Sequence, residues 1–184
     1  MIRLLTWCAL FVVLWGRPLL ASGTELDQDY FTANQSLTTQ QLLHLVDTYH
    51  TNKVVASIRE QNMNLAIVNL KYTLDRFPNH PRALMLLGSV AQFAKIPSLA
   101  IPYYERALKL YPQYALTHAQ YGEYLVTIGR PDDGIARLKR AIELDPTLPV
   151  AYGWLATAYS KKGQVELARQ AAEQAKALGY RATH

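Results

Sequence analysis

The sequence predicts an all-α fold built from stacked two-helix repeats, and three observations predict it. Five columns recur at a spacing of 34 residues: Pro78, Pro112 and Pro146; Ala107, Ala141 and Ala175; Leu110, Leu144 and Leu178; Gly88, Gly122 and Ala156; Ala100, Gly134 and Ala168. Within one period, apolar residues fall three and four apart, which is the spacing of one helix face. Each period also holds an internal break, at Lys95-Ile96-Pro97, Gly129 or Gly163, followed by a second stripe of the same kind. A fixed period of this length marks units that cannot bury their own apolar face and need a neighbour.

Residues 1–23 read as a cleavable export signal. Arg3 gives a minimal positive start, Leu4 to Trp15 is almost wholly apolar, and Ala21-Ser22-Gly23 supplies small residues before a cut. The apolar run is short for a bilayer span, so membrane attachment is expected only if this leader stays on. Cys8 is the sole cysteine and lies in the leader, so the remainder carries neither disulfide nor thiol nucleophile. Losing Arg3 and Arg17 with the leader lowers the formal charge from +5 to +3, since all 14 acids lie beyond it.

Residues 24–38 are polar and lack helical periodicity, which predicts a flexible N-terminal arm. Asn34-Gln35-Ser36 within it is a glycosylation sequon, meaningful only in a host with that pathway. Residues 39–80 hold an N-terminal helix through Leu42, Leu43, Val46 and Tyr49, and then a degenerate first repeat that fits only in its second half (Ala66, Leu70, Leu74, Pro78). Whether that helix continues through Thr51-Asn52 stays open.

Residues 81–114 are the clearest repeat. Pro81 suits a first helical turn, where its missing N–H is no loss. Leu84, Leu87, Gly88, Ala91 and Ala94 form the first stripe, and Ala100, Tyr104, Ala107 and Leu108 form the second, ended by Pro112. Residues 115–148 repeat the scheme, with Gly122 where a close helix approach explains a glycine in a helix interior. Residues 149–182 are the terminal repeat, with Tyr180 in the proline column and a charged outer face of Glu166, Arg169 and Glu173 that solvates the end of the array.

These residues resemble the tetratricopeptide repeat. Leu87-Gly88, Ala100, Tyr104, Ala107 and Pro112 match its pattern in one unit, Gly122, Ala141 and Pro146 in the next, and Leu155-Ala156, Tyr159, Ala168 and Ala175 in the last. The resemblance implies a right-handed solenoid whose concave face comes mainly from first helices. It places Met85, Ser89, Gln92, Ala119, Glu123, Thr127, Gly153, Thr157 and Ser160 on that face. These side chains are small or mildly polar, unlike the lysines and asparagines that clamp a carboxylate tail in part of the family. A groove of this kind has room for a helix or an extended segment of a protein partner.

The sequence offers no catalytic set. It has no Gly-x-Ser-x-Gly, no phosphate-cradling loop and no His-Glu-x-x-His, and its five histidines lack metal-ligand spacing. No cofactor or metal is therefore expected. His118 stands in the family's tryptophan column and reads as a packed ring. Asp132-Asp133 reads as dipole-complementing acids in a first turn. Arg137, Lys139 and Arg140 are matched by Asp133 and Glu143, so nucleic acid is not an expected partner.

The functional expectation is a non-enzymatic protein-interaction scaffold, exported and most simply periplasmic, serving a bacterial envelope or secretory complex. The alternative is a polysaccharide-binding module, with tyrosines stacking on sugar rings. Tyr111, Tyr114 and Tyr124 discriminate: lining a groove they favour sugar, and buried they favour protein.

Overall fold

The computed structural model describes residues 26–181, so the export signal expected over residues 1–23 lies outside the described residues. A 3-10 turn over Tyr30–Gln35 leads into α1 (Leu37–Val46), a π-turn (Asp47–Thr51) and α2 (Asn52–Arg59). Both residues flanking the π-turn keep right-handed helical angles, so these three pieces form one continuous rod through Thr51-Asn52. Then come α3 (Met63–Arg76), α4 (Pro81–Phe93), α5 (Ile101–Leu110), α6 (Ala115–Thr127), α7 (Pro131–Leu144), α8 (Pro149–Lys161) and α9 (Val165–Ala177). The fold is all-α, with α6–α7 and α8–α9 the closest pairs and α4, α6 and α8 stacked in succession.

The first helices of the three clear repeats begin at Pro81, Ala115 and Pro149, in step with the sequence columns. A further column emerges only from the backbone. Gln61, Lys95, Gly129 and Gly163 stand 34 apart and all have positive φ, at 58°, 58°, 85° and 71°. The turn inside each helix pair thus holds one left-handed residue, whereas the described turns between pairs hold none, and the two non-glycines bear a Cβ penalty there. Lys95→Gly and Gln61→Gly are each expected to raise stability by about 0.5–1 kcal/mol. Urea midpoints check this, and a lowered midpoint would contradict it.

The second stripe of residues 81–114 starts as a 3-10 turn (Pro97–Leu99), and regular α-helix begins only at Ile101. Pro102 explains the delay: it has no N–H to give the Ser98 carbonyl, and its ring would clash with that carbonyl in an α-helix.

The π-turn has a local purpose. It turns Asp47, His50 and Thr51 toward α3 and the start of α4, where His50 Nδ1 meets Asn69 Oδ1 at 2.8 Å and Thr51 Oγ1 meets Thr73 Oγ1 at 3.1 Å. His80 Nδ1 accepts the Ala83 N–H at 3.2 Å and so caps α4, which leaves the Nε2 proton to donate to Asp47 at 3.0 Å.

The flexible arm expected over residues 24–38 is corrected for its described part, which is ordered and packed. Asp27 and Gln28 donate backbone N–H bonds to the Asp75 and Arg76 carbonyls, capping the open end of α3 at 3.1 and 2.6 Å. Asp29 accepts from Phe31 N, from Asn79 Nδ2 at 2.6 Å and from the Tyr114 hydroxyl, while Tyr30 N donates to Asn79 Oδ1 at 2.9 Å. Arg106 bridges Asp27 and Asp75 at 2.6 and 3.0 Å. Phe31 stacks on Tyr114 with centroids 4.3 Å apart. The arm's polar composition satisfies distant helix ends and does not signal disorder.

Two apolar clusters meet at α6. One joins Leu70, Leu74, Leu84, Leu87, Tyr104 and Leu125; the other joins Ala119, Leu138, Ala141, Ala151, Leu155 and Tyr159. Gly122 and Gly134 face each other across α6–α7. A Cβ on Gly122 would sit 2.7 Å from Leu138 Cγ and 2.8 Å from the Gly134 carbonyl oxygen.

Buried histidines give the fold a pH dependence. Desolvation lowers the pKa of both His80 and His118 below the ordinary value, although Asp47 opposes the shift at His80 and the Pro112 carbonyl opposes it at His118. The unfolded chain therefore takes up protons near pH 6.5 that the folded chain refuses. Stability is expected to be full above about pH 6.5 and to fall as pH drops toward the lower folded values, by up to about 1.4 kcal/mol per pH unit for each histidine. Urea unfolding at pH 8 and pH 5 checks this; equal stabilities would contradict it.

Candidate functional site: the groove across the first helices

A groove of about 470 Å³ runs over α4, α6 and α8 and ends at the C-terminal turn. Its floor is Gly88 with the rings of Tyr104 and Tyr124. Its walls are Met85, Ser89 and Gln92 from α4, Glu123 and Thr127 from α6, and Val150 and Trp154 from α8; Tyr180 and Arg181 close the end. The volume lies within the range typical of ligand clefts.

The floor follows from packing. Gly88 lacks a Cβ, and one placed there would come within 2.9 Å of Tyr124 Cδ2. Tyr104 stacks on Tyr121 and Tyr124 with centroids 5.1 and 5.6 Å apart, and the Tyr124 hydroxyl donates to the Pro97 carbonyl at 2.6 Å. Burial, with the Glu123 and Tyr124 charges adding, holds the Tyr104 phenol protonated far above its usual range. Glu123 is half-buried and accepts from Thr127 Oγ1 at 2.9 Å, which fixes the one acid among these lining residues.

Of the nine residues placed on the concave face by the sequence, Met85, Ser89, Gln92, Glu123 and Thr127 come together in this groove. Ala119 does not. It is fully buried, because the same inter-repeat face is covered by α8, and it joins the cluster with Ala151 and Leu155. Gly153 is covered in turn by the Tyr180 ring. Thr157 and Ser160 open instead onto a separate shallow depression between α8 and α9, beside Val165 and Arg169. The sequence reading missed Val150, Trp154, Tyr180 and Arg181. The break in the proline column at Tyr180 was the available signal, since a side chain replaces the turn residue there.

Tyr111, Tyr114 and Tyr124 are taken up by contacts within the chain. Tyr111 donates to the Asp27 carbonyl and Tyr114 to Asp29; burial and the Asp29 carboxylate push the Tyr114 phenol up to about 12. Neither lines the groove, and Tyr124 shows only 1% of its surface. His118 is buried as a packed ring, with its Nε2 proton on the Pro112 carbonyl at 3.0 Å. Asp132 and Asp133 sit in the first turn of α7, as the dipole reading expects. Among the described residues no group of three or more His, Cys, Asp or Glu side chains could hold a metal ion, and no helix is long and apolar enough to cross a membrane.

Tetratricopeptide repeat family models match residues 61–115 and 138–170. The chain is a tetratricopeptide repeat protein. No curated protein matches it across its sequence. Among solved structures, MamA is 23% identical with a TM-score of 0.54, over 73% of this chain and 74% of that one. YrrB, described as a tetratricopeptide repeat protein with an unusual peptide-binding site, is 20% identical with a TM-score of 0.54, over 77% and 73%. PilW, described as a widely conserved type IV pilus biogenesis factor, is 23% identical with a TM-score of 0.58, over 74% of this chain and 62% of that one. At these identities the likeness is one of fold. The repeats are those of a protein-interaction scaffold family that is typically non-enzymatic.

Proposed function

We propose that this tetratricopeptide repeat protein is a non-enzymatic scaffold whose groove takes a helix or extended segment of a partner protein. The observation that carries it is the groove itself, continuous over three stacked helices, aromatic at its floor and walled by polar side chains (Ser89, Gln92, Glu123, Thr127) beside apolar ones (Met85, Val150, Trp154). The peptide-binding site of YrrB, on a similar fold, supports a peptide ligand. Tyr111 and Tyr114 are held by the N-terminal arm outside the groove, and Tyr124, although on the groove floor, is almost wholly buried with its hydroxyl on the Pro97 carbonyl, which favours protein over polysaccharide. The leader-like residues 1–23 support export to a periplasm. The type IV pilus role printed for PilW supports service in an envelope or secretory complex.

Glu123→Lys tests the groove. It reverses the charge of a groove wall without disturbing the core, so partner capture is expected to fall about tenfold or more while the melting temperature stays nearly unchanged. Titration calorimetry with the recovered partner, beside a thermal melt, reads both. Loss of fold would place Glu123 in the core, and unchanged affinity would remove the groove from binding.

A further inference from the structure

At its α8 end the groove is already occupied, by the chain itself. After α9, Gly179 turns the backbone at φ +84° and the Tyr180 N–H closes on the Ala175 carbonyl at 2.9 Å, which folds the next side chain back across the molecule. The Tyr180 ring lands flat on Gly153. A Cβ built on that glycine would lie 2.3, 2.6 and 2.8 Å from ring atoms Cε1, Cζ and Cδ1. Only a bare helix backbone leaves room for a ring at that depth. Gly153 is in the interior of α8 and has no turn to make, so close approach of the ring accounts for it. Trp154 and Val150 line the same end of the groove.

We propose that the Gly153 shelf is a subsite for an aromatic side chain, and that Tyr180 is its intramolecular occupant. The partner segment then carries a tyrosine or phenylalanine that takes the shelf when Tyr180 swings out. This rests on the groove being the binding site. Ring and backbone are complementary in shape, and an aromatic anchor in a fitted pocket is the kind of contact that dominates peptide recognition. Tyr180 follows the last helix on a single turn and is only half-buried, so it can leave without unpacking a helix. A site that is open in only a fraction of molecules binds more weakly by that fraction, so the tyrosine holds the affinity of the free protein down until a better anchor arrives.

The probe is the peptide acetyl-Gly-Tyr-Arg-Ala-amide, with acetyl-Gly-Ala-Arg-Ala-amide as its ring-free control. Binding is read from the Trp154 indole N–H resonance, assigned with Trp154→Phe. Tyr180→Ala is expected to bind the tyrosine peptide about tenfold more tightly than the native chain, and neither chain is expected to bind the control. Gly153→Ala combined with Tyr180→Ala fills the shelf and is expected to abolish this binding. Equal affinity of the native chain and Tyr180→Ala overturns the proposal, as does undiminished binding by the double variant. Should Tyr180→Ala unfold the chain, Tyr180 is a fixed cap and the proposal fails too. Failure here leaves the groove reading standing, because Glu123→Lys tests that wall independently.

Discussion

Gly122→Leu is expected to destabilise the protein by about 3 kcal/mol or more, at the upper end of what overpacking a core does. The reason is geometric. The nearest neighbours of a new Cβ are Leu138 Cγ at 2.7 Å, the Gly134 carbonyl oxygen at 2.8 Å and Leu138 N at 3.1 Å, and two of these three are backbone atoms that cannot rotate away. Relief requires α6 and α7 to separate, which opens the cluster around Leu138 and Ala141. Gly134→Ala is expected to act in the same direction, since its Cβ would sit 2.7 Å from the Gly122 carbonyl oxygen. Thermal and urea melts read the loss, and an unchanged midpoint for Gly122→Leu would contradict the close approach.

Asp29→Ala is expected to cost about 2–3 kcal/mol, the range for losing hydrogen bonds to a charged acceptor and stranding their donors. Its carboxylate accepts from Phe31 N, Asn79 Nδ2 and the Tyr114 hydroxyl, and Asn79 is wholly buried. The arm's remaining contacts, including Arg106 with Asp27, are more exposed and contribute less. Hydrogen exchange at the last turn of α3 gives a second reading, because the arm's N–H groups cap the Asp75 and Arg76 carbonyls there. A mutant as stable as the native chain, with α3 equally protected, would return the arm to the status of a loose linker.

The repeat columns made α4 and α6–α9 legible from residue types alone, because every unit meets the same neighbours and solves the packing problem the same way. Tyr104, Ala107, Ala141 and Ala175 are buried where the columns put them. The arm was not legible, since its acids find partners 50 to 85 residues away and nothing local distinguishes them from solvated acids. Part of the tyrosine cluster at Tyr111 and Tyr114 belonged to that same hidden interface. Half of the groove wall could be read as a helix face, in Met85, Ser89, Gln92, Glu123 and Thr127. Ala119 and Gly153 share a column with Met85, yet α8 covers one and Tyr180 the other. A column fixes the direction in which a residue faces, and the next element in the stack decides whether anything is left exposed.

Site-specific photo-crosslinking in the native host tests the groove most directly. A photoreactive side chain at Ser89 or Thr127, both exposed on the groove wall, is compared with one at Lys139, exposed on α7 away from it. The groove account expects the same partner protein to crosslink from Ser89 and Thr127, at one contiguous segment, and not from Lys139. Crosslinks from Lys139 alone, or none from either groove position while the partner still co-purifies, would contradict it.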